Sequence, residues 1–290
     1  MTVGSLQSLI LAAVVGSLAG THTAIWGMYK DAIHEGFTVA RFARSIVIGA
    51  VVGVAIHLAL GLDLSRTASL VVLFGLAYAA ERGIVETWKT FVRDEDQSKY
   101  FIPMQFTVLG KPVVSRGARL AAGAGYVAVV ALCLYGIARL DAATSSLPRL
   151  ATIVLVGAVV GTIVAIGGAW KDAPKEVFET LKFFRSPATT VVYALLLSFF
   201  TDSLLQIAVA ALGFERATSE TYKTFFFPSK PRGKFTGKRV LYPEMLVRRR
   251  YFVPVYVAIW IAVIVSGAMA LRETASGRAP ARRAVAELPT

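Results

Sequence analysis

From Thr2 to Tyr29 the chain carries no Asp, Glu, Lys or Arg, and Leu120 to Ala138 is equally free of charge. Uncharged runs of this kind match the length, about 20 residues, that a helix needs to cross the hydrocarbon of a bilayer. The pattern predicts single spans over 5–28, 118–138, 149–169 and 252–271. Between them lie two apolar regions, 46–80 and 187–214, each broken at one polar point. The breaks are Leu62-Asp63-Leu64-Ser65-Arg66 and Phe199-Phe200-Thr201-Asp202-Ser203. Each region predicts two helices around a turn. The pieces of the second, 187–200 and 203–214, are only 12 to 14 residues long. That is short for a crossing, so a re-entrant hairpin or thin tilted helices stay open beside it. The fold class that follows is an all-α polytopic membrane protein with about eight transmembrane or partly re-entrant helices.

The polar stretches between the spans are written twice. Glu81-Arg82-Gly83-Ile84-Val85-Glu86-Thr87-Trp88-Lys89-Thr90-Phe91 returns 134 positions later as Glu215-Arg216-Ala217-Thr218-Ser219-Glu220-Thr221-Tyr222-Lys223-Thr224-Phe225. The block Lys30-Asp31-Ala32-x-x-Glu35-x-Phe37 returns 141 positions later as Lys171-Asp172-Ala173-x-x-Glu176-x-Phe178. At the same shift Arg41-Phe42-x-Arg44-Ser45 answers Lys182-Phe183-x-Arg185-Ser186, and Gly16-x-x-x-Gly20 answers Gly157-x-x-x-Gly161. Gly110-Lys111-x-Val113 answers Gly237-Lys238-x-Val240 at a shift of 127. Five blocks in one order imply a tandem-duplicated helical bundle: a first membrane repeat over 1–140, a second over 141–275, and a polar tail, 276–290, expected to be disordered. The paired glycines suit close helix approach.

Composition sharpens this. Of 290 residues only 17% are charged, where a soluble domain carries about a quarter. The net charge of +13 raises nucleic acid as a partner, but no stretch is left over to form a soluble domain bearing such a surface. The charge distributes as topology instead. The segments 30–44, 82–119, 171–185 and 216–250 hold 24 of the 31 Lys and Arg residues. Eight spans with both termini outside put all 24 on the cytoplasmic face, as the positive-inside rule requires; the expected location is a bacterial cytoplasmic membrane. An even number of spans per half makes the repeats parallel. The start of the chain has no basic region before its apolar stretch and is read as a mature span rather than a signal peptide. The one cysteine, Cys133, excludes an intrachain disulfide and a cysteine metal cluster.

Every duplicated charged block falls on the same expected face, at span ends. Lys30, Arg82, Lys89 and Lys111, with Lys171, Arg216, Lys223 and Lys238, form a candidate head-group site for phosphate oxygens. Trp88 and Tyr222 suit the interfacial level. Asp31 and Glu35, like Asp172 and Glu176, stand at i and i+4 on one helix face. Such pairs orient the bases or, in an alternative reading, hold Mg²⁺ bridging a diphosphate. The ordinary alternative is that these residues serve anchoring and topology alone. Asp63 and Asp202 mark the two interruptions, and an acid within a span is a functional candidate; in turns at the outer surface they are turn residues only. His22, His34 and His57 have no counterparts in the second half, so a histidine-based metal or proton site is not expected. The loop 225–250, with eight Lys or Arg, suits anionic lipid. No Gly-x-Ser-x-Gly, Walker loop, His-Glu-x-x-His or Cys-x-x-Cys motif occurs.

Three functions fit these residues. The first is a lipid-type transporter or flippase that binds a phosphorylated or anionic amphiphile. The second is an Mg²⁺-dependent transferase acting on a lipid (di)phosphate. The third is a non-catalytic subunit or scaffold docking a membrane-protein partner or a second copy of itself. Retention of charged blocks in both halves favours the first. The expected partners are anionic or phosphorylated membrane lipids, not nucleic acid.

Overall fold

A computed structural model of the chain describes residues 3–143, 147–226 and 233–276. All of the polar tail except Ser276, and residues 227–232 of the basic loop, lie outside the described residues.

The described chain is helical almost throughout. Helices α1 (Val3–Glu35), α2 (Val39–Leu60) and α3 (Thr67–Thr87) are followed by a short π-helix, Trp88–Val92. After a two-stranded hairpin (β1, Thr107–Val108; β2, Lys111–Pro112) come α4 (Arg116–Ala143), α5 (Arg149–Glu176), α6 (Thr180–Leu197) and α7 (Leu204–Thr221). A second short π-helix, Tyr222–Phe226, follows α7; the one-turn α8 (Met245–Arg248) and a 3₁₀ turn lead into α9 (Val253–Ala275). Six helices are long and apolar enough to cross a membrane, in α1, α2, α3 with its π-turn, α4, α5, and α8–α9. The chain is an all-α integral membrane protein.

The two other long helices are α6 and α7, at eighteen residues each. They are longer than the 12 to 14 residue pieces expected from the uncharged runs, because both continue through charge. α6 starts at Thr180 and takes in Lys182 and Arg185, while α7 runs past Glu215 and Arg216 to Thr221. The same holds for the Lys30 and Glu81 blocks, expected to lie largely in loops. α1 runs unbroken to Glu35, its charges met from other elements by Glu220 and Lys234, and α3 runs to Thr87, where Arg82 and Glu86 neutralise each other one turn apart.

α3 and α7 form the centre, crossing where neither backbone carries bulk. A Cβ on Gly213 would stand 2.0 Å from the carbonyl oxygen of Gly75, and one on Gly75 would stand 2.9 Å from that of Ala210. Two tight hairpin pairs flank this crossing. α1 meets α2 through Gly16, Gly20, Gly49 and Gly53, whose Cβ positions fall 2.1 to 2.5 Å from carbonyl oxygens of the facing helix. α5 meets α6 at Gly157 and Gly161, and a Cβ on the latter would stand 2.7 Å from the Pro187 Cα. These are the small-residue contacts by which helices associate in lipid. Outward-facing side chains of α2, α4 and α9, such as Val51, Leu132 and Ile264, are exposed and apolar, as a lipid-facing surface requires.

The connections cross over. The loop after the first π-helix reaches α5, where Trp170 Nε1 donates to the Thr107 carbonyl at 3.1 Å. The loop before α8 reaches α1, where the amides of Leu241 and Tyr242 donate to the Ile33 carbonyl at 2.9 and 3.0 Å. The loops join each other through the Phe101 amide on the Lys234 carbonyl, 2.7 Å, and Lys238 Nζ on the Ser98 carbonyl, 2.9 Å. Together they lie over the end of the bundle where α1, α3, α5 and α7 finish.

Candidate functional site

At that end the last turns of α3 and α7 bring Glu81, Arg82 and Glu86 beside Glu215, Arg216 and Glu220. Arg82 bonds Glu86 and Arg216 bonds Glu220 (2.9 Å), both at i and i+4. Lys89 and Lys223, on the π-helices, reach back to Glu86 at 3.5 Å and Glu220 at 3.9 Å. π-turns are rare and recur at functional sites; here they continue each helix while turning a lysine back toward the glutamate three residues earlier.

Two further bases arrive from the flanking helices. Lys30 of α1 donates to Glu220 Oε2 at 3.1 Å. Lys171 of α5 lies where its charge and that of Glu86 act on one another, and its Nζ stands 3.6 Å from Met104 Sδ. The network thus sets six bases (Lys30, Arg82, Lys89, Lys171, Arg216, Lys223) against four glutamates. Glu81, Arg82, Glu215 and Glu220 are buried, Glu81 completely. Buried charges persist when paired, and this set is paired with cations in excess.

The two halves of the network differ in one detail. Glu215 Oε1 accepts from the hydroxyls of Ser186 and Ser219, both at 2.8 Å. Among the described residues neither oxygen of Glu81 has a hydrogen-bond partner, and Arg82, the base at ion-pair distance, is 3.7 Å away.

Sequence reasoning missed the aromatic floor of the site. Trp26 lies under three of the bases, with the Arg82, Lys30 and Arg216 cations 5.2, 5.4 and 6.0 Å from its ring. Its Nε1 donates to Tyr78 Oη at 2.8 Å, and the same hydroxyl lies 3.2 Å from His22 Nδ1. His22 stacks on Tyr256 at 4.0 Å. The available signal was spacing: Trp26 precedes Lys30 by four positions, and Tyr78 precedes Arg82 by four. Trp88 and Tyr222 are partly exposed, Trp88 between Arg44 and Arg93 and Tyr222 beside Arg185.

Both acidic pairs are closed by a lysine. Lys234 lies 2.9 Å from Asp31 and 3.3 Å from Glu35, while Lys182 lies 3.1 Å from Asp172 and 2.7 Å from Glu176. Burial alone would lower the Lys234 ammonium; the charges of Asp31 and Glu35 outweigh it and hold the group above the ordinary lysine value. Among the described residues no three His, Cys, Asp or Glu side chains gather as a metal site would require.

Four expected site residues lie elsewhere. Lys111 is exposed on β2, and Lys238 is exposed over Ser98. Asp63 and Asp202 sit exposed in the α2–α3 and α6–α7 turns, at the far end of the bundle. Asp63 accepts from the amide and hydroxyl of Ser65, the Asp202 carbonyl accepts from Arg149, and both act as turn residues. A cavity of about 90 Å³ opens beside the network between α5, α6 and α7, lined by Lys182, Arg185, Arg216 and Lys223 together with Asp172 and Glu215. No protein-family model matches the chain, and neither a curated protein nor a solved structure similar to it was found.

Proposed function

We propose that the chain is a transporter or flippase for a phosphorylated or anionic amphiphile, built from two parallel repeats, with the charge network at the cytoplasmic side and both termini outside. The observation that carries this reading is the convergence of six bases, Arg82 buried and the other five half-buried, on four glutamates at the α3–α7 seam. An anion entering that network meets bases already held in place, as preorganised anion sites do.

Support for the repeats comes from the order of elements. Each half runs through two hairpin helices, a central helix, a short π-helix and an outer helix, and the π-helices begin 134 positions apart. The ion pairs follow the same shifts. Lys30 meets Glu220 across the seam, and Lys171 and Glu86, their counterparts at 141 and 134, act on one another across it. A site made jointly by two halves and broken by rearranging ion pairs between them fits alternating access. The transferase alternative requires Mg²⁺ to displace Lys234 and Lys182 from both acidic pairs, and no observation favours it.

The test is a flipping assay on proteoliposomes carrying a fluorescent short-chain phosphatidate, read by dithionite quenching, with native mass spectrometry of co-purified lipid beside it. The expected result is protein-dependent flipping and a discrete bound phospholipid, both lost in Lys89→Ala/Lys223→Ala. Quenching equal to protein-free vesicles, with only loosely bound bulk lipid, overturns the reading and leaves the scaffold in front.

A further inference from the structure

The wedge between α1 and α2 and the wedge between α5 and α6 are lined by residues 141 positions apart: Gly36 and Val177, Phe37 and Phe178, Phe42 and Phe183, Arg44 and Arg185. The first wedge is full. The Tyr242 ring lies 3.2 Å from where a Gly36 Cβ would stand, Met245 packs with Met28 and Ile33, and the Phe252 ring lies 5.2 Å from Phe42. The second wedge holds the cavity of about 90 Å³. The loop that docks on α5 sits instead against Trp170 and Pro174. The volume is several times the roughly 10–15 Å³ that a single water occupies on this measure.

We infer that this cavity takes the phosphate head of an amphiphile whose apolar tail leaves past Val177 and Phe178. Four bases face the cavity against three acids, Asp172, Glu179 and Glu215. Two of those acids are already engaged, Asp172 by Lys182 and Glu215 by two serine hydroxyls, and three of the bases are paired as well, Lys182 with Asp172 and Glu176, Arg216 and Lys223 with Glu220. Among the described residues the buried Nε of Arg185 has no acceptor and its guanidinium fork no carboxylate at ion-pair distance; it stands over the Tyr222 ring at 6.0 Å. A phosphate oxygen there completes the fork, and Lys223 and Arg216 add charge from the network side. The rim is apolar and open: Val177 is 75% and Phe178 52% exposed. The filled wedge shows that this shape takes apolar groups, and the basic wall decides that the head is anionic.

This inference rests on the amphiphile reading above, and its test separates the two. The full chain in detergent is titrated calorimetrically with dihexanoyl phosphatidate and, separately, with inorganic phosphate. Two variants are compared with wild type. Arg185→Gln removes the fork. Gly168→Phe fills the cavity from a lining position where an added Cβ meets nothing within 4 Å. Arg66→Gln, at the other end of the bundle, is the control. The expected result is phosphatidate binding that weakens about tenfold or more in both variants, by loss of one charged hydrogen bond in Arg185→Gln and by steric exclusion in Gly168→Phe, with the control unchanged. Unchanged binding in both, or inorganic phosphate binding as tightly as phosphatidate, overturns the inference. Should wild type flip lipid while Gly168→Phe flips it equally well, the cavity fails and the transport reading stands. Should phosphatidate bind the cavity in a protein that flips nothing, the transport reading fails and the cavity stands.

Discussion

The ammonium of Lys30 lies 3.1 Å from Glu220 Oε2, joining α1 to the end of α7 across 190 positions of sequence. Glu220 is buried and receives Arg216 and Lys223 as well, so it is the shared counter-charge of three bases. Lys30 has only this carboxylate at ion-pair distance among the described residues.

Removing the two partners should therefore have unequal effects. Glu220→Gln leaves three cations facing one another in a buried place and is expected to lower stability by about 3–5 kcal/mol, the range for breaking a buried pair from one side. Lys30→Met leaves Glu220 with two bases and is expected to cost about 1.5–3 kcal/mol, the loss of one hydrogen bond between charged groups. Thermal unfolding of the purified protein should order the variants wild type, Lys30→Met, Glu220→Gln. Equal melting temperatures for all three would show that the network contributes nothing to the fold.

The α3–α7 crossing yields the sharpest packing prediction. Gly213→Ala places a methyl 2.0 Å from the Gly75 carbonyl oxygen, a distance that backbone must move to relieve. Overpacking of this kind costs about 1–3 kcal/mol or more. Gly27→Ala, on α1 where an added Cβ meets nothing within 4 Å, is expected to gain about 0.5–1 kcal/mol from the helix preference for alanine over glycine. Opposite signs in the two melting shifts are the expected outcome. A Gly213→Ala protein as stable as wild type would refute the crossing geometry.

Much of this architecture was legible in the chain, and what was not has a physical reason. Uncharged runs locate the apolar cores of α1, α4, α5 and α9, because bilayer thickness fixes the length of an apolar helix. The doubled Glu-Arg and Lys-Asp blocks gather at one end of the bundle. Their burial was hidden, since a charge on a central helix looks like a loop charge until its partner is known. Arg82 with Glu86 was readable as an i, i+4 pair, but Lys30 with Glu220 is a tertiary contact. The acidic pairs resembled metal ligands for the same reason: Lys234, which closes Asp31 and Glu35, lies about 200 positions away in sequence. Asp63 and Asp202 were ambiguous between turn and span because a short break gives no depth.

Val177 carries a cost that its counterpart avoids. Its φ of 67° and ψ of 155° fall in a region populated almost only by glycine, and at the same place in the first half Gly36 has φ 71°. A β-branched residue held there stores about 1–3 kcal/mol. Val177→Gly should raise the melting temperature, offset in part by the greater freedom of glycine in the unfolded chain. The reverse change, Gly36→Val, should lower it, since it adds the strain and drives a side chain at the Tyr242 ring 3.2 Å away. A destabilised Val177→Gly would mean that the valine side chain, 75% exposed, packs against something more than solvent or lipid.

The junction of the two loops should respond to acid through Glu95. Burial would raise its carboxyl, but hydrogen bonds from Lys99 and Tyr100, with the charge of Arg93 at 2.6 Å, hold it below the ordinary 4.5. A carboxylate depressed in the folded state stabilises fully above its unfolded value, and that stabilisation fades as pH falls through the lower folded value. Tyr100, which donates to Glu95 at 2.9 Å, also stands 3.1 Å from Glu35 and packs on Phe235. Next to it, the Phe101 amide holds the Lys234 carbonyl. Protection of the Phe101 amide against hydrogen exchange, corrected for intrinsic rate, should be flat from pH 7 to about 4.5 and then fall. Glu95→Gln should show lower protection at neutral pH and lose the acid dependence. If the acid dependence persists unchanged in Glu95→Gln, another carboxylate governs the junction, and Glu35, bonded to the same tyrosine, is the next to substitute.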